Sequence, residues 1–234
     1  IVETHARPSW CQQIWRTSSR IYREILTLDF LKELADGSLS MEIFGRYIAQ
    51  DEIYLGNYYR NMMALADMMD NDADRELFVA FAQSGMEGEK AMHELLIERY
   101  GMDIQVNASV VTEGYNRLIQ ETIQSGNKYA SLAVMLPCMW IYNRVGLEIL
   151  AQAKLEGNPY KEWILEYGNE AFTEGVNTVL DIMDAWALEA DAQTLEEMNR
   201  VYLRAALYEY AFWDYGYYGE NKGYEYADSL EGWI

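Results

Sequence analysis

The sequence predicts an all-α protein, a single-domain helical bundle, on three observations. Apolar residues recur three and four positions apart along almost the whole chain, and no segment shows the sustained alternation of a strand. Residues that start helices and glycines that stop them punctuate this pattern. Only three prolines occur in 234 residues, and no Ser, Gly or Pro-rich stretch offers a linker. One domain is therefore expected over residues 1–234, with 1–8 and about 220–234 as peripheral tails.

The elements follow in order. Ser9 with Gln12 has the spacing of a capping box and starts a helix over 9–26. A short helix near 28–35 stops at Gly37. Ser40 precedes a helix over 40–70 whose buried stripe runs Phe44, Tyr47, Ile48, Asp51, Tyr54, Leu55, Tyr58 and Met62. Helices over 73–100 and 109–124 stop at Gly101 and Gly126. The next, over 129–154, contains Pro137, which cannot donate to the Ala133 carbonyl, so a kink or a substitute donor is expected there. Asn158-Pro159 supplies an N-cap and a first-turn proline for a helix over 160–188. Thr194 with Glu197 has capping-box spacing for a helix over 194–218, whose inner face carries Met198, Tyr202, Ala205, Glu209, Phe212 and Gly216. Long helices side by side around a central cavity are the expected architecture.

Charge and composition narrow the function. With 38 acidic against 18 basic residues the formal net charge is −20, which repels a phosphate backbone and argues against nucleic acid as a partner. No apolar run approaches the roughly 20 residues needed to span a bilayer, and the amino terminus has no signal-peptide pattern, so a cytoplasmic protein is expected. Cys11 and Cys138 make at most one disulfide, which is no extracellular framework.

Three residues sit oddly in this pattern. Asp51 interrupts an apolar stripe, Glu209 lies inside Tyr208-Glu209-Tyr210-Ala211-Phe212-Trp213, and Cys138 follows Pro137 inside an apolar helix. A buried carboxylate must be paired, hydrogen-bonded or protonated, and an internal salt bridge or a cap to a neighbouring helix is the plainest reading of Asp51. Two inward carboxyls and a thiol on one cavity can protonate, orient and attack a small polar heterocycle. The 19 tyrosines and seven tryptophans supply walls suited to a flat ring, although such stripes also serve simply as core. Two histidines exclude a di-iron carboxylate centre, because Glu89-Lys90-Ala91-Met92-His93 has the wrong spacing. His93, flanked by Glu89 and Glu94, reads as a solvated or ion-paired residue before a haem ligand. No histidine base is expected beside Cys138, so its proton passes to a carboxylate or to the substrate.

Five separated motifs in order complete the reading. They are Gln50-Asp51-Glu52-Ile53-Tyr54-Leu55; Tyr115 ahead of Ser125-Gly126-Asn127; Leu136-Pro137-Cys138-Met139-Trp140-Ile141-Tyr142 with Gly146; Trp163 with Tyr167-Gly168; and the Glu209 run. With these the chain resembles the TenA family, the thiaminase II enzymes of thiamin salvage, over nearly its whole length. The resemblance implies a haem-oxygenase-like bundle without haem, metal or other cofactor, assembled as a homotetramer. It implies hydrolysis of 4-amino-5-aminomethyl-2-methylpyrimidine to the hydroxymethylpyrimidine and ammonia, with thiamin as a further substrate in many members. Cys138 then matches the nucleophile and Glu209 the proton-handling acid. Asp51 matches the group that reads the aminopyrimidine edge, Tyr115 and Tyr167 match hydroxyls near the sulfur, and Tyr54, Tyr142 and Phe212 match pocket walls. A second class of the family lacks the cysteine, so Cys138 places the chain in the first. Met139 stands where many members carry an aromatic residue. A non-catalytic binder of thiamin precursors, a regulatory protein, or a hydrolase of another aminopyrimidine are the alternatives.

Overall fold

The computed structural model describes residues 7–220, so His5 and the tail residues Tyr224, Tyr226 and Trp233 lie outside the described residues. Ten helices and no strand are present among the described residues: α1 (Trp10–Thr17), α2 (Ser19–Leu26), α3 (Asp29–Asp36), α4 (Met41–Ala66), α5 (Asp72–Tyr100), α6 (Val110–Gln124), α7 (Lys128–Gln152), α8 (Lys161–Tyr167), α9 (Glu170–Glu189) and α10 (Ala192–Tyr218).

The Ser9 capping box, the Ser40 cap and the left-handed glycines Gly37 and Gly101 stand where the sequence predicts them. Two expected helices are each divided in two. Ser18 ends α1 because its hydroxyl turns back onto the Ile14 carbonyl at 2.8 Å, competing with the backbone ladder. Gly168 closes α8, and the Asn169 side chain accepts from Phe172 N at 2.7 Å to begin α9 afresh. Asn158 is not the N-cap of α8: its side chain accepts from Tyr160 N and donates to the Leu34 and Ala35 carbonyls, fastening the turn to the end of α3. Thr194 is likewise not a cap. Asp191 takes that place, accepting from Thr194 N at 2.8 Å, where its charge also suits the positive end of the helix.

Helix α7 is the axis of the fold. Every residue from Ala130 to Asn143 is buried, as expected for a helix apolar on all sides. It packs along α10 and is flanked by α4, α6, α8 and α9. The helix runs unbroken through Pro137. Near it the Tyr58 hydroxyl donates to the carbonyl of Met135 at 2.7 Å, not to that of Ala133. Both predicted inner stripes, on α4 and on α10, are buried throughout. Gly146 permits α8 to reach α7, since a Cβ there would stand 2.6 Å from the Tyr167 carbonyl carbon. Among the described residues no helix is long and apolar enough to cross a membrane.

Candidate functional site

Helices α4, α5, α7 and α9 enclose a small cavity against the Cys138 sulfur, with Tyr58, Tyr59, Glu89, Met139 and Phe172 among its walls. Its volume, about 20 Å³, is that of one water, so anything larger enters only as wall side chains turn aside. Tyr59, Ala82 and Glu89 also edge a surface groove of about 440 Å³ between α4 and α5, and form the partition between the two.

Behind the sulfur lies an aromatic and acidic layer. The Tyr115 hydroxyl donates to Glu209 Oε1 at 2.6 Å, joining α6 to α10. Tyr54 packs on Tyr115, Tyr58 and Phe212, with ring centroids 4.7, 5.6 and 5.6 Å apart. Its buried hydroxyl has no hydrogen-bond partner of normal geometry, although it is close enough to the sulfur to pull the thiol pKa down. Tyr142 lies one turn from Cys138 on the same face of α7. It shares a 2.7 Å hydrogen bond with the Tyr47 hydroxyl and packs against Tyr167 at 4.9 Å. Tyr167 in turn meets Phe172, a wall of the cavity, at 6.1 Å.

Asp51 and His93 are both buried and stand 3.0 Å apart, Oδ2 to Nε2, as an ion pair poorly aligned for a hydrogen bond. The other ring nitrogen of His93 meets Glu52 Oε1. The internal salt bridge foreseen for Asp51 is thus present, and His93 is ion-paired and buried rather than solvated. Burial opposes the charge on His93, but Asp51 and Glu52 outweigh it and raise its pKa to about 10. Burial also raises Asp51, with His93 opposing.

The remaining groups keep their protons. Burial pushes Glu209 up to about 8 against the pull of the Tyr115 hydroxyl, with the charge of Asp51 adding to the rise. Burial likewise lifts the Cys138 thiol well above its usual value, and the negative charges that Glu209 and then Glu89 carry once ionised lift it further. At neutral pH the site therefore holds a neutral thiol beside a carboxylic acid that carries its proton. Cys11, the other cysteine, is also free and buried, but it lies against the Leu180 carbonyl, outside this site.

Asp51, Cys138 and Glu209, the three odd residues of the sequence, act on one another electrostatically and share one region. Tyr54 packs on Tyr115 and Phe212, and Tyr142 on Tyr167, but of the sequence-predicted site residues Cys138 alone lines the small cavity. Sequence reasoning missed Glu89 and Tyr59 as cavity walls. The four-residue spacing from Glu89 to His93 puts both on one side of α5, along the groove, but does not by itself point to the cavity. No three His, Cys, Asp or Glu side chains among the described residues converge with metal-ligand geometry.

A thiol and a carboxyl buried together beneath aromatic rings have the makings of a small-molecule site. The TENA/THI-4/PQQC family profile matches residues 15–219, and the chain belongs to that family. The thiamine biosynthesis multifunctional protein ThiED of Corynebacterium glutamicum is 30% identical over 202 residues, 86% of this chain, which spans about a quarter (26%) of that protein's length. The aminopyrimidine aminohydrolase of Bacillus subtilis is 26% identical over 197 residues, 82% of this chain and 83% of that one. The X-ray structure of a TenA homologue from Pyrococcus furiosus superposes with a TM-score of 0.84 at 20% identity, covering 89% of this chain and all of that one, and establishes the haem-oxygenase-like fold.

Proposed function

We propose that the protein is an aminopyrimidine hydrolase of thiamin salvage, releasing ammonia and the hydroxymethylpyrimidine from 4-amino-5-aminomethyl-2-methylpyrimidine, with thiamin as a second substrate. The observation that carries this reading is the buried Glu209 carboxyl, accepting from the Tyr115 hydroxyl at 2.6 Å in the same region as the buried Cys138 thiol, with burial favouring the protonated form of both. In the proposed reaction Glu209 protonates a ring nitrogen, which makes the adjacent ring carbon electrophilic. Cys138 attacks that carbon and the thiol proton passes to the Glu209 carboxylate just formed. The ring returns its electron pair by conjugation and expels ammonia from the methylene. Water then adds to the methylene carbon and gives up a proton, the C–S bond breaks as the ring regains its aromaticity, the sulfur takes up the water's proton, and the ring nitrogen releases its own to the departed ammonia. No histidine base is needed. Asp51, held by the protonated His93, is assigned the amino edge of the ring, and Tyr54, Tyr142, Tyr167 and Phe212 its walls.

With this reading go action as one domain, a homotetrameric state, a cytoplasmic location and independence of metal or cofactor. The test is the release of ammonia and hydroxymethylpyrimidine from the aminomethyl substrate, expected in equal amounts, and of the same pyrimidine from thiamin. Tight pyrimidine binding without turnover would make the protein a binder instead. Turnover of a different aminopyrimidine alone would move the substrate assignment.

A further inference from the structure

Glu89 has no part in the addition described above, yet it lines the same cavity as Cys138. As a residue it is half-buried, because it also edges the α4–α5 groove. Its Oε2, however, is closed off from solvent and has no hydrogen-bond partner. A buried carboxyl oxygen left without a partner is costly, and a ligand that completes it recovers that cost. Glu209 is already engaged by Tyr115, whereas Glu89, on the groove side of the sulfur, has the Tyr59 hydroxyl within reach of its carboxyl but leaves Oε2 unpartnered.

We propose that Glu89 binds the positively charged substituent on the 5-methylene of the aminopyrimidine and so selects an ammonium at that position over a neutral group. The inference rests on the hydrolase reading and assigns the leaving-group end of the same site. An aliphatic amine, with a pKa near about 10, is cationic at neutral pH. Groups facing Glu89 from the surrounding helices favour such a cation: Asp51 and Tyr59 on α4, Cys138 on α7, and Glu166 on α8 add negative charge or none. His93, on its own helix, is already taken up between Asp51 and Glu52. Burial first, then Asp51, raises the Glu89 pKa to about 8, and an ammonium against Oε2 returns the group to its carboxylate form. The groove of about 440 Å³ adjoins Glu89 and carries Arg60 and Lys90 together with Glu52 and Glu94 on its walls. Glu89 is in this role a binding residue, and its loss acts on affinity before it acts on the chemical step.

Calorimetric affinities of the aminomethylpyrimidine and of the neutral hydroxymethylpyrimidine test the proposal, in protein carrying Cys138→Ala to prevent turnover, with and without Glu89→Gln. The expected result is a loss of about 10- to 100-fold for the aminomethyl compound, and less than about twofold for the hydroxymethyl one. Glu89→Asp, which keeps the charge, falls between. Equal weakening of both ligands, or no change in either, overturns the proposal while leaving the hydrolase reading in place. If protein with Glu89 intact, including unaltered protein, binds neither pyrimidine, the hydrolase reading fails and this assignment falls with it.

Discussion

Removing the Tyr115 hydroxyl should make Glu209 a weaker acid. The hydroxyl donates to Glu209 Oε1 at 2.6 Å with both groups buried, so it favours the carboxylate form. A hydrogen bond to a charged group contributes about 1.5–3 kcal/mol, and each pKa unit corresponds to about 1.4 kcal/mol. Tyr115→Phe therefore raises the Glu209 midpoint by about one to two units above its starting value of about 8. Infrared titration reads this directly from the carbonyl band of the protonated acid, assigned by its disappearance in Glu209→Gln. The alkaline limb of the pH–rate profile should move upward with it, because the acid form persists to higher pH. At neutral pH the protonated carboxyl loses a partner, and urea unfolding should show a stability loss of about 1–3 kcal/mol. A midpoint that stays in place or falls would refute the hydrogen bond as the group that sets this acidity.

Stability should fall as pH rises. Glu209 binds its proton more tightly folded than unfolded, so between its ordinary value of 4.5 and about 8 it progressively disfavours the native state, by roughly 5 kcal/mol at completion. His93 contributes stability fully below 6.5 and loses it as pH rises to about 10. Urea midpoints measured from pH 5 to pH 10 should therefore decline, and a midpoint that rises across this range would contradict both placements. Gly146→Ala places a methyl group 2.6 Å from the Tyr167 carbonyl carbon; it should cost about 1–3 kcal/mol of stability by overpacking and weaken pyrimidine binding through displacement of Tyr167.

The inner faces of α4 and α10 were legible because a helical period fixes which residues share a face, and Asp51 and Glu209 stood out as acids on apolar stripes. Cys138 was legible from its place beside Pro137 in an apolar stretch of its helix. The divisions at Ser18 and Gly168 were not, because periodicity continues across them and the breaks depend on a hydroxyl folding back and on a fresh asparagine cap. Glu89 escaped notice because α5 is amphipathic only in part, with polar residues all around the helix. Its neighbours on other helices, not its own spacing, place it at the cavity. The partner of Asp51 was equally hidden. An acid on a stripe announces that it needs a cation, but the fold decides that His93, 42 residues away, supplies it.

Steady-state release of hydroxymethylpyrimidine from the aminomethyl substrate, by unaltered protein and by Cys138→Ala at equal folded concentration, addresses the nucleophile itself. The mechanism predicts steady turnover by the unaltered protein and a fall of at least about 10³-fold in kcat for the variant, with the hydroxymethylpyrimidine still bound. Undiminished turnover by Cys138→Ala would contradict covalent attack by this sulfur and leave the carboxyl groups to do the chemistry without it.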